Sequence, residues 1–243
     1  IVARHLVDAN LAGHDSHGFI RLIQYIKEIR DEILDPSAAP EIYSENGGVA
    51  RVNGCWTFGQ VVATFALEEG MKRARENGVS MTTMHNLGHT GRIGTYTERA
   101  AIEGFAAIMC TGIYGGRRAG VAPFGGSVGR LGTNPISMSF PYKPGQPILL
   151  DFATSMAAEG KLRVYRARGD ELPDTWILDP QGKPSKDPND YYSGGALLPL
   201  GGIQGGHKGY SLSVMVALFG AIMAELGTDS DQNLPNNSSM IIL

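Results

Sequence analysis

The sequence predicts an α/β protein with a mixed sheet and flanking helices. Stretches with helical spacing of apolar residues alternate with short apolar runs, the alternation expected when helices pack on a sheet. The helical stretches end on proline or on an Asn-Gly pair, and the strand-like runs are separated by Pro-Gly or polar turns. A chain of 243 residues with 42% hydrophobic and 19% charged content can bury a substantial core and has ordinary globular composition.

Residues 1–12 read as the end of a helix. Residues 19–34 read as an amphipathic helix, with Leu22, Ile26, Ile29 and Ile33 at helical spacing and Lys27, Glu28, Arg30 and Asp31 elsewhere. Asp35-Pro36 and Pro40 stop it. A short strand follows over 49–53, then a helix over 60–77 closed by Asn77-Gly78. A strand from Val79 to Met84, a helix from Thr95 to Glu103 and a buried strand from Phe105 to Thr111 come next. Ile136 to Phe140 and Ile148 to Phe152 are strands separated by a Pro-Gly turn, and helices are expected over 155–167 and 208–226. No internal repeat or linker interrupts the pattern.

Bulk properties exclude several partners. The charge of −3 comes from 21 basic and 24 acidic residues spread along the chain, so no basic run points to nucleic acid or an anionic membrane. The longest apolar run, Leu212 to Ala224, is too short for a bilayer and reads as a buried helix. Cys55 and Cys110 are two and far apart, which fits a reducing compartment, the cytoplasm. The chain begins at Ile1 and stops within Met240-Ile241-Ile242-Leu243, so both ends of a longer protein are expected beyond it. The 33 glycines cluster at 112–132 and 194–209, where they allow either close approach to a ligand or long surface loops.

Five stretches could carry chemistry. Asp15-Ser16-His17-Gly18 with Arg21 joins a group that titrates near neutrality to a planar cation suited to carboxylates. Asn86 to Gly94 leaves a strand and enters a helix through three glycines, offering backbone N–H groups to an anion, with His85 and His89 beside it. Leu131 to Pro135 is a tight polar turn before a strand. Asp151-Phe152-Ala153-Thr154-Ser155 hands a strand over to a helix with hydroxyls at its cap. Gly205-Gly206-His207-Lys208-Gly209 is a glycine-rich entry to an apolar helix. Junctions of this kind are where α/β proteins usually hold ligands.

Some mechanisms are excluded or weakened. GxGxxG occurs nowhere, which removes the common Rossmann fingerprint, and GxxxxGK[ST] is absent too. Gly125-Gly126-Ser127-Val128-Gly129 matches GxSxG, but no helix is expected to follow Ser127, so a serine hydrolase is the weaker alternative. A metal site from His14, His17, His85 and His89 lacks the glutamate of HExxH, and no metal is expected. Plain structural readings stand beside the functional ones. His5 and His14 would be solvated or capping, His85 would end a strand, Arg21 would pair with an acid, and Thr154 and Ser155 would only cap.

The ordered set Asp15-Ser16-His17-Gly18 with Arg21, Gly88-His89-Thr90-Gly91-Arg92, Val121 to Gly126, Arg130 to Pro135, Asp151 to Ser155, Gly160-Lys161 and Gly206-His207-Lys208-Gly209 resembles the type-2 malate/L-lactate dehydrogenase family. That family also has ureidoglycolate, sulfolactate, diketogulonate and cyclic-imine members. The resemblance runs over the whole chain. It implies a non-Rossmann fold that binds NAD or NADP, which accounts for the missing GxGxxG, and a homodimer. Residues 1–48 would then be a helical region contributing to the substrate site. Residues 49–210 would be the NAD(P)-binding α/β domain, and 211–243 a helix and the start of a return to the first region.

By the same resemblance, His17 matches the proton donor of diketogulonate-type members and His89 the acid–base histidine of ureidoglycolate-type members, with His17 ranked first. Arg21 would hold the substrate carboxylate, and Ser16, beside His17, is a further candidate in the catalytic set. Gly91, Arg92, Ile93 and Gly94 would lie along the pyrophosphate. Asp151, Phe152, Ala153, Thr154, Ser155, His207 and Lys208 would contact the cofactor, with Asn134 as a further candidate. The implied reaction is hydride transfer between nicotinamide and a small 2-hydroxy or 2-oxo acid.

Overall fold

The computed structural model describes residues 1–112, 119–222 and 237–243. Part of the first glycine cluster (113–118) and the expected end of the last helix (223–226) lie outside the described residues. A seven-stranded mixed sheet runs in the order β1 (Glu41–Asn46), β2 (Val49–Asn53), β3 (Met81–Leu87), β10 (Asn237–Ile242), β4 (Ala107–Gly112), β5 (Pro135–Lys143) and β6 (Gln146–Ala153). Strands β2 and β3 pair in parallel, and every other neighbouring pair is antiparallel. Helix α3 (Gly59–Asn77) makes the crossover between the parallel pair, which needs a long connection of this kind. Helix α4 (Gly94–Ile102) leads from β3 to β4, with β10 seated between them.

The main core lies between α3, α4 and this sheet. Its centre is Val52, Leu67, Met84, Tyr96, Met109 and Ile241. Helix α3 reads as a core helix should. Val62, Ala63, Ala66, Leu67, Gly70, Met71 and Ala74 are buried at spacings of three and four, and Gly78 closes the helix. A second layer gathers around Leu162, Leu172, Ile177 and Leu197. It joins α5 (Glu159–Arg168) to a three-stranded sheet of β8 (Pro184–Ser185), β7 (Ile177–Leu178) and β9 (Ala196–Leu197), with the short α6 (Pro188–Tyr192) beside it. Helix α7 (Gly202–Ala217) lies against β4 and β5 through Val216, Cys110 and Ile136.

Four expectations need correction. Strand β1 was not foreseen, because Glu41–Asn46 is a mostly exposed edge with little apolar patterning. The helix expected over 155–167 starts only at Glu159 with Ala158 as its cap. Helix α7 begins at Gly202, so the Gly205 to Gly209 cluster lies inside it and does not precede it. The close packing explains why: a Cβ on Gly209 would lie 2.1 Å from the carbonyl oxygen of Leu200.

The fourth correction concerns the segment 19–34. It divides into a single turn (Phe19–Arg21) and α2 (Leu22–Arg30), after α1 (Val2–Leu11) and a turn over Asp15–His17. The inward face of α2 is Tyr25 and Glu28, joined by Arg21 just before it. Leu22, Ile23 and Ile26 point outward, and Ile23 is 79% exposed. The helix therefore packs through its polar side. What it packs around is the candidate site.

Candidate functional site

The two turns between α1 and α2 present Ser16, His17 and Arg21, and Asn10 on α1 holds their shape. Its side-chain amide donates to Asp15 Oδ1 at 2.6 Å, and its Oδ1 accepts the N–H of Phe19 at 2.9 Å. Asp15 is thereby a fastening of the loop. Arg21 is 8% exposed. Its Nε donates to the Ser16 carbonyl at 2.6 Å and its Nη1 to Gln24 Oε1 at 2.8 Å, while Gln24 donates on to Glu28 Oε1 at 3.0 Å. A buried guanidinium fixed on two sides is a rigid support for an anion.

His17 sits with its Nδ1 2.9 Å from Ser16 Oγ and its ring stacked on that of His89, centroids 5.5 Å apart and planes 17° apart. Burial first, and then the Arg21 cation, push the pKa of His17 down to about 3. It is neutral at physiological pH. His89, at the exit of β3, has its Nδ1 2.9 Å from Tyr25 Oη, which in turn accepts from the side-chain amide of Gln60 at 2.7 Å. Helices α2 and α3 thus meet behind His89.

The glycine-rich crossing from β3 to α4 is shaped by His5. Gly91 has φ +75°, and a Cβ there would fall 2.2 Å from His5 Nε2, so both backbone and space require glycine. His5 Nε2 accepts the N–H of Arg92 at 3.0 Å, and burial pushes its pKa down to about 4. The sequence reading had His5 solvated or capping. It is instead buried and supports the loop. At the start of α4, the N–H of Gly94 donates to Asp151 Oδ2 at 3.0 Å, with Arg92 Nε 3.7 Å from the same oxygen. Burial raises the Asp151 pKa against the pull of that N–H and of Arg92. Two of the N–H groups offered to an anion are therefore engaged within the protein.

Two cavities meet at this place, and His17, Thr133 and Ala158 line both. The smaller, about 230 Å³, runs past Gly91 to Ile93, Asp151 to Ala153, Ser155, Met156 and Lys161. The larger, about 660 Å³, is bounded by Arg21, Gln24, Glu28, His89, Arg163 and Tyr191. One cavity carries the cations Arg92 and Lys161 against Asp151, with Phe152 and Met156 as apolar surface. The other offers Arg21 and the two stacked imidazoles. A small carboxylate on Arg21 would lie beside His89 and His17, and a planar group in the smaller cavity would reach the same junction.

The structure gathers Ser16, His17, Arg21, His89, Gly91, Arg92, Ile93, Asp151, Phe152, Ala153 and Ser155 around these cavities. Gly94 stands just behind, holding Asp151. Asn134 and Thr154 are fully buried beneath. Asn134 donates to Ser213 Oγ at 3.1 Å, and Thr154 Oγ1 donates to the carbonyls of Asn134 and Thr133 at 2.9 and 3.1 Å. Thr154 and Ser155 do not cap α5, since Ser155 Oγ donates to the Ala157 carbonyl. His207 and Lys208 are exposed on α7, His207 against Phe124, and line neither cavity. Ser127 lies in an exposed irregular loop with no helix after it. Among the described residues, no group of three or more His, Cys, Asp or Glu is placed to hold a metal ion, and no helix is long and apolar enough to cross a membrane.

Sequence reasoning missed Tyr25 and Gln60, and it named Lys161 only within the Gly160-Lys161 motif, without a place in the site. Tyr25 follows Arg21 by one helical turn, a spacing that marks a shared face. Gln60 carries no local signal, because only the docking of α3 brings it to α2.

The chain is similar to proteins already known. A family model described as malate/L-lactate dehydrogenase matches residues 1–242. The malate dehydrogenase of Pyrococcus abyssi is 40% identical over 227 residues, covering 92% of this chain and 61% of that protein. Hydroxycarboxylate dehydrogenase B of Escherichia coli O157:H7 is 35% identical over 244 residues, covering 100% of this chain and 66% of that protein. The chain thus spans less than two thirds of the length of these relatives. The crystal structure of malate dehydrogenase from Entamoeba histolytica superposes with a TM-score of 0.91 at 30% identity, covering 99% of this chain and 70% of that one.

Proposed function

This chain belongs to the malate/L-lactate dehydrogenase family, and on that premise we propose that it interconverts a small 2-hydroxy acid and its 2-oxo acid with NAD or NADP. The observation that carries the reading is the meeting of the two cavities at His17, with Arg21 and His89 on one side and Asp151 to Ala153 and Ser155 on the other. A 2-oxo acid needs a cation for its carboxylate and a proton source for its carbonyl oxygen, and the larger cavity supplies both.

The residues of the smaller cavity fit the nicotinamide end of the cofactor. Phe152 and Met156 offer apolar surface, Ser155 a hydroxyl, and Arg92 and Lys161 positive charge. At about 230 Å³, below the roughly 300–1,000 Å³ of sites for larger ligands, the cavity takes one end of a dinucleotide. When bound, the cofactor supplies or accepts the hydride. Arg21 holds the carboxylate and so orients the carbonyl carbon. Ile20 and Ile23 stand at the solvent-facing rim of the same cavity.

We assign the proton transfer to His89 and a neutral hydrogen-bonding role to His17. Burial keeps His17 uncharged down to about pH 3, so it serves to polarise the carbonyl oxygen as an imidazole. The ranking that put His17 first is reversed in this reading. His89, with a hydrogen-bonded support behind it, gives a proton in reduction and takes it back in oxidation. The proposal includes a homodimer in the cytoplasm, the compartment being favoured by free Cys55 and Cys110.

The test is to follow NADH and NADPH absorbance with a panel of 2-oxo acids, including malate- and lactate-type products and a cyclic imine acid. Consumption of either cofactor with a 2-oxo acid is expected. Turnover of the imine alone would replace the substrate class. Labelling of Ser127 by a fluorophosphonate with no cofactor consumption would favour a hydrolase.

A further inference from the structure

We propose that Tyr25 and Gln60 are positioning residues that fix which nitrogen of His89 carries its proton, holding the neutral ring as the Nε2–H form. The inference rests on the functional reading only in what that proton is used for. The geometry is a chain of three side chains from two helices and a loop. Gln60 Nε2 lies 2.7 Å from Tyr25 Oη, and Tyr25 Oη lies 2.9 Å from His89 Nδ1. Tyr25 and Gln60 are 2% and 0% exposed, so water does not compete with these bonds.

The direction follows from donor counting. An amide nitrogen can only donate, so the phenol oxygen accepts from Gln60. The phenol oxygen can accept from Gln60 and still offer its one hydrogen to Nδ1, so on this proposal the bond runs from Tyr25 Oη–H to Nδ1. A ring whose Nδ1 accepts is protonated at Nε2 when neutral. With Nδ1 committed to Tyr25, chemistry in the cavity that His89 lines falls to Nε2. His17 is arranged in parallel, its Nδ1 facing Ser16 Oγ, so each stacked ring turns the same nitrogen to a hydroxyl.

A second observation shows how the chain can run backwards. Gln60 Oε1 is buried and has no hydrogen-bond partner among the described residues. Rotation of the amide by half a turn would place this oxygen towards Tyr25, whose hydrogen would then point to Gln60 and whose oxygen would accept an Nδ1–H. That reversed polarity is the one a doubly protonated His89 requires. In reduction, the doubly protonated ring would give its Nε2 proton to the substrate oxygen and keep the Nδ1 proton donated to Tyr25 Oη, and Nε2, left with its lone pair, would take a proton back from the substrate hydroxyl in oxidation or from water in the cavity. No proton leaves the chain, because it ends at an amide that cannot ionise. An unpartnered buried carbonyl is an unfavourable feature unless it has a second position to occupy.

The experiment is nitrogen NMR of the full chain labelled with ¹⁵N-histidine, with the His89 signals identified by their loss in His89→Gln. The neutral ring of the unsubstituted protein is expected to be protonated at Nε2. Gln60→Glu presents only acceptors once ionised, so the Tyr25 hydrogen should turn towards residue 60 and the His89 proton should move to Nδ1. Tyr25→Phe removes the constraint and should give a mixture of the two forms. It should also lower kcat about 10- to 100-fold with KM little changed. Should Gln60→Glu fail to fold, Gln60→Met takes its place, with loss of the single form expected. An Nδ1–H ring in the unsubstituted protein, or an Nε2–H ring unmoved in both the position-60 variant and Tyr25→Phe, overturns the proposal. If the tautomer switches as expected while His89→Gln reduces 2-oxo acids at the original rate, the relay stands and the proton-transfer role of His89 falls.

Discussion

Helices α2 and α3 touch behind His89, where Gln60 donates to Tyr25, and they obey opposite rules. In α3 the residues at core spacing are apolar and buried, and the charged ones face out. In α2 the buried residues are Tyr25 and Glu28, with Arg21 just before, while Leu22, Ile23 and Ile26 are left exposed. A helix that completes a core is placed by the water it excludes. A helix that walls a site is placed by hydrogen bonds, here Arg21 to Ser16 and Gln24, and Tyr25 to His89 and Gln60. Hydrophobic spacing therefore identifies α2 as a helix but assigns its inward face wrongly.

Substitutions in the two helices should separate these rules. The largest effect belongs to α3. Leu67→Ala, at a fully buried site of the main core, is expected to lower unfolding free energy by about 2–5 kcal/mol. Denaturant unfolding measures it, and the tautomer of His89 should not change. In α2 the penalty should appear in binding. Arg21→Lys keeps the charge but loses the planar fork, and KM for the 2-oxo acid should rise about tenfold or more with a smaller change in unfolding free energy. An unchanged KM would remove Arg21 from the carboxylate site.

Acid should weaken the α1 and α2 side first. The folded pKa values of His5 and His17 are lowered to about 4 and about 3, while the unfolded chain takes up protons near pH 6.5. Between these limits the unfolded state binds more protons, so stability falls as pH is lowered from about 6.5. The slope is at most about 1.4 kcal/mol per pH unit for each histidine. Urea unfolding at pH 7, 6 and 5 should show this, and His5→Asn should flatten the slope. The smallest effect is expected at the outward stripe of α2. Ile23→Ser should change stability by less than about 0.5 kcal/mol. A larger loss would show that something covers the stripe, and would return α2 to the rule that governs α3.

Much of the fold was legible because burial writes itself into sequence. The alternation of Val, Ile and Met runs with the α3 pattern specified a mixed α/β sheet, and Asn77-Gly78 marked the end of α3. Strand β1 was hidden because an exposed edge strand needs no apolar face. The loop residues Ser16, His17, His89 and Gly91 were visible as polar groups in glycine-rich turns. Tyr25 and Gln60 were not, since their roles depend on two residues 35 positions apart, on different helices, meeting behind His89. His5 was misread for a related reason: its partner, the N–H of Arg92, is 87 residues away. Thr154 and Asn134 read as ligand contacts, and the structure shows hydroxyl and amide groups spent on holding the turn beneath the cavity.

The central claim is that His89 moves the proton while His17 remains a neutral partner. Steady-state reduction of a 2-oxo acid by His89→Gln and His17→Gln, alongside NAD(P)H binding to each, tests it most directly. Cofactor binding should be retained in both, and kcat should fall about 10²-fold or more in His89→Gln, a larger loss than in His17→Gln. An equal or greater loss in His17→Gln, with His89→Gln still turning over, would contradict it.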